Sequence, residues 1–550
     1  MRELSGIGMS PGLLSAGLGS VPAAQTYLDI TQGNRVFDSL YDAPLPARVG
    51  GGICGPGYSR AVVERAESAP AEIVPGLLAA TLHRAGEGCR VREVGLRALA
   101  AMVRSLRRGD LLIAFERPPP AKDRALAISV AGVGFEGDLT SDSTRTDGYV
   151  LTTDVAPTIL ARLGIPIPAA MSGQPIRATG SIDAGAVEAL GDRMAAISAR
   201  RGPVIGVSLL VWLLALGLTV AFAGSRGARL GVELTALSVV YLPLVLLLAS
   251  IARPSEGVEQ LLTVASAPLL SFLTLRLFDG YKPLAFASGA VVLAYALDVI
   301  AGSPFTSLSL LGPNPGLGVR FYGIGNELEA LLAVLVLGGT GAALSGYLPD
   351  LDMRRTALGF LASGLLAAVV FAAGRFGADV GAAIVLPIGA AAAAAKVVAT
   401  PRRHATVIIS TTLFLILGFI AVIDLVTGAN AHLTRSVLDA GGLNDLADVA
   451  QRRLRLSADS FGRSVLLAFM PFVLAAAGLA LWKRDVVRVW LREAPALRAG
   501  LLGALVATVA GTLANDSGAL VLEVGCAYLL AFLGFAWAEG TGRSSTLGAS

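Results

Sequence analysis

Charge is scarce in this chain of 550 residues. Asp, Glu, Lys and Arg make up 15% of it, against about a quarter in ordinary soluble domains, while 54% is hydrophobic and the mean hydropathy is +0.68. That balance excludes a soluble enzyme of this size and places most of the chain in lipid. Cysteine and histidine are rarer still, with three of each. Cys54, Cys89 and Cys526 form no Cys-x-x-Cys pair and keep no Cys/His spacing suited to zinc, so no sulfur-held structural metal is expected. Cys54 and Cys89 are either bridged, if their region faces an oxidising compartment, or two buried thiols. Concentrated positive charge is also missing. The net charge of +4 is spread through short loops, as in membrane proteins with basic cytoplasmic connections, and no nucleic-acid partner is expected.

What the chain has instead is a series of long apolar segments. From Pro203 onward about eleven stretches can span a bilayer, centred near residues 213, 241, 267, 293, 335, 364, 387, 415, 472, 506 and 528. The sequence therefore reads as an all-α polytopic transmembrane domain over 203–540, with a juxtamembrane linker at 181–202 and a tail at 541–550. Residues 1–180 lack any run of membrane length and read as an α/β domain. Helices are expected over Ile73–Ala85 and Val91–Arg108, and strands over Asp110–Phe115, Ala125–Ala131 and Tyr149–Thr153. Asp154 is expected to cap a helix that carries Pro157 in its first turn and stops at Gly164.

Loop charge gives an orientation. One set of connections carries Arg226 and Arg229, Arg276 and Lys282, Arg354 and Arg355, Lys396 with Arg402 and Arg403, and the basic run from Lys483 to Arg498. The other set is poorer in Lys and Arg, apart from 426–461, which places the N-terminal domain outside a cell membrane crossed many times. Arg193, Arg200 and Arg201 point the other way. An exported domain also calls for a signal, and residues 1–30 lack an apolar core for one; either the start lies upstream of Met1 or the orientation is reversed.

The segment Gly137–Gly164, with Asp154-Val-Ala-Pro-Thr-Ile-Leu at its centre, resembles the closing part of alkaline-phosphatase-like domains. Met9-Ser-Pro-Gly and Tyr27-Leu-Asp-Ile-Thr-Gln-Gly33 look similar to the early part of such domains in bacterial multi-pass proteins. The resemblance covers roughly residues 1–180 and implies an alkaline-phosphatase-like α/β fold. Hydrolytic members hold two metals with Asp and His. Here the only histidine is His83, in a helical context, and Ser141-Asp-Ser-Thr-Arg145 stands where relatives often place a ligand. The domain is therefore expected to lack two-metal chemistry and to bind or cover a site. The same architecture, with many spans following, looks like that of ethanolamine-phosphate transferases of lipid anchors.

The strongest candidate site is Arg320-Phe-Tyr-Gly-Ile-Gly-Asn-Glu327, because polar groups at the mouth of a membrane helix are costly and mark function. By parity, its loop shares one face with those carrying Arg375 and Asp379, His432 and Arg435, and Asn515 and Asp516. Arg320, Tyr322, Asn326, Arg375, Arg435, Asn515 and Asp516 are the candidate phosphate or substrate contacts, since guanidinium forks match phosphate oxygens. His432, Glu327 and Asp379 are the candidate acid–base groups. Capping explains part of this set equally well: Asn326 with Glu329 fits a capping box, and Asp379 and Asn515–Ser517 suit helix starts. A divalent cation gathered by Glu327, Asp379 and Asp516 is a cofactor this composition allows. Residues 442–461 read as an amphipathic interfacial helix.

These features point to an envelope enzyme that transfers or hydrolyses a group on a lipid-linked phosphate or pyrophosphate of the polyprenyl type, with membrane lipids as its surroundings. A transporter or flippase for an anionic lipid or solute, and a membrane scaffold with a non-catalytic outer domain, are the alternatives.

Overall fold

The computed structural model describes residues 1–401 apart from 56, 70 and 119–124, scattered positions between 403 and 412, residues 457–462 apart from 459, and residues 470–547. The chain forms two compact units. The first comprises Met1–Ala199 with Asn314–Tyr322, and the second Arg200–Pro313 with Gly323–Ser550.

In the first unit, β1 (Ser10–Ser15) is buried along its whole length at the centre of a four-stranded sheet. It pairs antiparallel with β3 (Leu126–Ala131), which pairs antiparallel with β2 (Leu112–Phe115), and it pairs parallel with β5 (Tyr149–Leu151). A second ladder joins β4 (Asp138–Thr140) to β6 (Arg177–Thr179). Six helices precede or intersperse these strands: α1 (Arg2–Ser5), α2 (Ala23–Gln32), α3 (Arg60–Glu67), α4 (Leu77–Arg84), α5 (Leu96–Arg104) and α6 (Thr152–Arg162). Leu14, Leu126, Ile128, Val130 and Val150 of the sheet join Leu78 and Leu82 of α4 and Val155 and Leu160 of α6 in one core. Cys54 and Cys89 are bridged, with Cα atoms 5.3 Å apart.

Several boundaries differ from the sequence reading for local reasons. Pro75 and a left-handed Gly76 delay α4 to Leu77, and extended Gly95 delays α5 to Leu96. The strand at Tyr149 ends at Leu151 because α6 begins at Thr152. Asp154 is then the third residue of the helix rather than its cap, and its carboxylate reaches back to accept the Leu151 N–H at 2.9 Å. The stretch taken as a linker is helical from Ala184, within α7 (Ala184–Phe222), whose residues belong to the first unit up to Ala199 and to the second from Arg200.

The second unit is helical. After α7 come α8 (Gly224–Ala252), α9 (Glu256–Leu277), α10 (Lys282–Ile300), α11 (Asn326–Tyr347), α12 (Met353–Ala372), α13 (Val380–Val397), α14 (Met470–Trp482), α15 (Arg484–Trp490), α16 (Pro495–Ala514) and α17 (Gly518–Leu547). Among the described residues nine helices, α7 to α13, α16 and α17, are long and apolar enough to cross a membrane, the pattern of a multi-pass membrane protein. The span expected near 415 lies outside the described residues, and α14 is a shorter apolar helix.

Helix α11 is the hub: 83% of its apolar window is buried in the protein, against 17% for α7, whose leucines face outward. Small residues let the helices close on it. Added Cβ atoms at Gly389 of α13 and Gly503 of α16 would each meet the other's carbonyl oxygen, at 2.9 and 2.5 Å.

Candidate functional site

In the membrane unit the polar residues gather where α11, α13 and α17 begin. Extended Gly325 precedes α11, so Asn326 is its first residue and the expected Asn326–Glu329 capping box does not form. Asn326 instead faces across the bundle: its Nδ2 donates to Asp516 Oδ1 at 3.2 Å, and its Oδ1 accepts from Asn515 Nδ2 at 3.2 Å. Asn515 Nδ2 also donates to Glu329 Oε2 at 2.7 Å, and Asn515 Oδ1 accepts the Ser517 N–H at 3.1 Å where α17 starts. The result is a ladder, Glu329–Asn515–Asn326–Asp516, with Glu329 only 2% exposed.

Asp379, also 2% exposed, caps α13 by accepting the Ala382 N–H at 2.8 Å. Two residues later Gly381 lies against the Glu329 carboxylate, where a Cβ would overlap it. The preceding loop brings Arg375, which is exposed, within two residues of Gly377, whose carbonyl accepts the Ile324 N–H at 3.1 Å. Glu327 is ion-paired with Arg201 at 2.9 Å, and Arg201 Nη2 donates to Gly312 O at 2.6 Å. Arg200 is likewise paired, with buried Glu259 at 3.2 Å. Both arginines, which the sequence places against the loop-charge orientation, thus form ion pairs within the membrane unit. Ser457 and Ser460 complete the neighbourhood of α17, with Ser457 Oγ donating to Thr512 O at 2.6 Å and Ser460 Oγ accepting the Ala519 N–H at 3.0 Å.

Glu327, Asp379 and Asp516 are therefore held by an arginine, a helix start and an amide, respectively. Among the described residues no three of His, Cys, Asp and Glu come together to hold a metal ion. The divalent cation that the composition allows at Glu327, Asp379 and Asp516 finds no such cluster among the described residues. His432, Arg435 and most of the amphipathic stretch 442–461 lie outside the described residues.

Arg320 and Tyr322 fall in the first unit, because residues 314–322 of the connection after α10 fold with the α/β domain. Asn314 Nδ2 donates to Ser198 Oγ at 2.7 Å, the Tyr149 hydroxyl donates to Pro315 O at 3.2 Å, and Gly19 N donates to Leu317 O at 2.8 Å. Arg35 spans the strand end and this segment, with Nη1 donating to Ser15 Oγ at 3.1 Å and Nη2 to Gly318 O at 2.8 Å. Phe321 packs on Tyr149 at 5.5 Å between centroids and lies 5.7 Å from the Arg35 guanidinium; Arg145, left-handed at φ 51°, stacks on Tyr322 at 4.0 Å.

Behind Arg35 lies Asp29, 2% exposed, whose Oδ1 accepts from Gln25 Nε2 at 2.8 Å and Gln32 Nε2 at 3.3 Å. Burial pushes its carboxyl up to about 7, against the lowering pull of the two amides, Arg35 and Arg65. Asp154 is a second buried carboxylate, held by Ser141 and Ser143 hydroxyls at 2.6 Å each and by the Leu151 and Gln174 amides at 2.9 Å each. Burial raises its carboxyl too, with those four bonds acting to lower it. Its place is structural, tying the 141–143 loop, α6 and residue 174 together.

Sequence reasoning missed Arg35, Arg65, Arg201, Glu259 and Ser460. Arg201 and Glu259 carried a signal, since charge inside apolar segments asks for a partner. The others depend on contacts between residues far apart in the chain. Compared with protein-family models, curated proteins and solved structures, the chain matches none.

Proposed function

We propose that the protein transfers or hydrolyses a group on a lipid-linked phosphate or pyrophosphate, at the outer face of a bacterial cell membrane. The observation that carries this reading is the hydrogen-bonded Glu329–Asn515–Asn326–Asp516 ladder at the starts of α11 and α17, which runs from buried Glu329 and Asn515 to exposed Asp516. A carboxylate and an amide buried in an apolar bundle, Glu329 and Asn515, are expensive to keep, and the four side chains orient one another. Glu329 and Asp379 supply acid–base capacity beside the Arg375 loop, whose guanidinium suits a phosphate oxygen. An outside location for the α/β unit is supported by the Cys54–Cys89 bridge, which persists in oxidising compartments, and by the charge of the opposite loops. We read that unit as a degenerate alkaline-phosphatase-like domain with a binding role.

The burial of Glu329 in the first turn of α11, the most buried of the described spans, also favours a second reading, a carrier that couples an anionic lipid to a proton or cation. One experiment separates them. Lipid-linked envelope intermediates are profiled by mass spectrometry in cells expressing the wild type or Glu329→Gln at equal levels. A precursor accumulating on the outer leaflet supports the enzyme, and one trapped on the inner leaflet supports the carrier. An unchanged profile with a stable variant refutes both.

A further inference from the structure

We propose that the α/β unit binds a small zwitterion with an apolar body, of the class of a short aliphatic peptide with free ends, in the cleft between α4 and residues 165–170. The site lies within that unit and is independent of the Glu329 ladder.

The cleft encloses about 560 Å³, within the range of small-ligand sites. One wall is the face of α4 on which Leu77, Thr81 and Arg84 follow one another at helical spacing. The other is formed by Ile165, Pro166 and Pro168, with Glu72 and Val74 from the chain that leads into α4. Asn34 ties the two sides together, since its Nδ2 donates to Glu72 O at 3.0 Å and to Ala170 O at 3.1 Å. The prolines fix their own backbone and offer no N–H, so the walls are set before a ligand arrives and its donors come from side chains of α4. Thr81 is only 8% exposed, yet its hydroxyl has no hydrogen-bond partner. Helical hydroxyls elsewhere in the chain donate to the carbonyl four residues back, as Thr158 does to Asp154 O and Thr263 to Glu259 O. A buried hydroxyl without such a bond costs stability, and an acceptor on a ligand in the cleft would satisfy it. Arg84, one turn on, commits Nε to Ala80 O at 3.2 Å and keeps its terminal nitrogens for a carboxylate. Among the described residues no carboxylate pairs with Arg84 and no cation pairs with Glu72, although both line the same cleft. The two charges thus stand apart on an otherwise aliphatic surface. A pure anion would meet Glu72 and a pure cation Arg84, whereas a zwitterion satisfies both: its carboxylate takes Arg84 and Thr81, its ammonium takes Glu72, and its side chains lie on Leu77, Ile165 and the prolines.

The test is calorimetric titration of the full-length protein in lipid nanodiscs with leucyl-leucine, its N-acetyl form, its C-terminal amide, and decanoate as an apolar anion. The wild type should bind the dipeptide, and acetylation or amidation should each weaken it by about threefold, as expected of ion pairs at exposed side chains. Glu72→Gln should no longer distinguish the acetylated form, and Arg84→Gln should no longer distinguish the amide. Thr81→Val should weaken the dipeptide by about fivefold, while α4 amides keep or gain protection against hydrogen exchange, because the hydroxyl has no bond in the fold to lose. A loss of α4 protection in Thr81→Val would show the hydroxyl bonded within the fold and overturn the inference. Absence of saturable binding at millimolar dipeptide, or equal affinity for its three forms, overturns it as well. So does decanoate binding that is tighter than the dipeptide's and insensitive to Glu72→Gln, which would make the cleft a site for apolar anions.

Discussion

Asp29 makes the stability of the α/β unit depend on pH in a direction opposite to that of most acids. Salt-bridged carboxylates usually stabilise a fold above their unfolded pKa. Asp29 is fully enclosed, and neither Arg35 nor Arg65 bonds to it: Arg35 is spent on Ser15 and Gly318, and Arg65 on Gln25, Asp38 and Ala43 O. Desolvation therefore outweighs the nearby positive charge and raises the carboxyl from 3.8 to about 7. With the folded pKa above the unfolded one, the native state holds the extra proton between these values. Its stabilising contribution is full below about pH 4, declines as pH rises and is gone above about pH 7. At about 1.4 kcal/mol per pH unit, moving from pH 5 to pH 8 should cost about 3 kcal/mol.

Asp29→Asn removes the titration while keeping a carbonyl oxygen where Gln25 and Gln32 donate, since both bond to Oδ1. The assay is hydrogen exchange of the slowest α2 and β1 amides in the full-length protein, corrected for intrinsic rates, from pH 5 to pH 8. The wild type should lose protection by about a hundredfold across that range, and Asp29→Asn should stay nearly flat. Equal slopes for the two proteins would refute the argument and mean that Arg35 and Arg65 hold Asp29 ionised.

Two further outcomes follow from the packing and the bridge. Gly381→Ala would drive a methyl group into the Glu329 carboxylate and should destabilise the bundle by roughly 1–3 kcal/mol, read as a lower melting temperature in detergent, while producing the lipid profile of Glu329→Gln. Cys54→Ser with Cys89→Ser opens a loop of 35 residues' separation, and chain entropy sets the loss at about 3–4 kcal/mol, visible as faster proteolysis between residues 50 and 90. Maleimide labelling of those cysteines in intact cells, with and without reductant, reports the compartment directly.

The membrane unit was legible because its code is local. A run of about twenty apolar residues must bury its own backbone hydrogen bonds, so α8, α10, α11 and α13 could be placed without knowing their neighbours. The α/β character of the first 180 residues was legible for a similar reason, through alternating or continuous apolar strands such as Leu126–Ala131. Helix starts were harder. Gly76, Gly95 and Gly325 each moved a boundary, because glycine's backbone angles are little restricted and a local pattern does not say which of them it adopts.

The candidate site divides along the same line. Asn326, Glu329, Asp379 and Asn515 stand out in sequence as polar residues at apolar boundaries, which is a matter of composition. That Asn326 bonds to Asp516 rather than capping its own helix is a matter of geometry, since residues 190 apart in sequence meet only when α11 and α17 pack. Arg200 and Arg201 stand out as charges at an apolar boundary, and only the fold pairs them with Glu259 and Glu327. The sequence by itself determined where lipid can be crossed and where charge is too costly to be incidental, because both follow from the transfer energy of single residues and short runs. The tertiary structure alone decided that residues 314–322 leave the membrane connection to fold against Ser15, Arg35 and Tyr149. Pairing between such distant segments is fixed by complementary shape and by hydrogen-bond partners that no local pattern encodes.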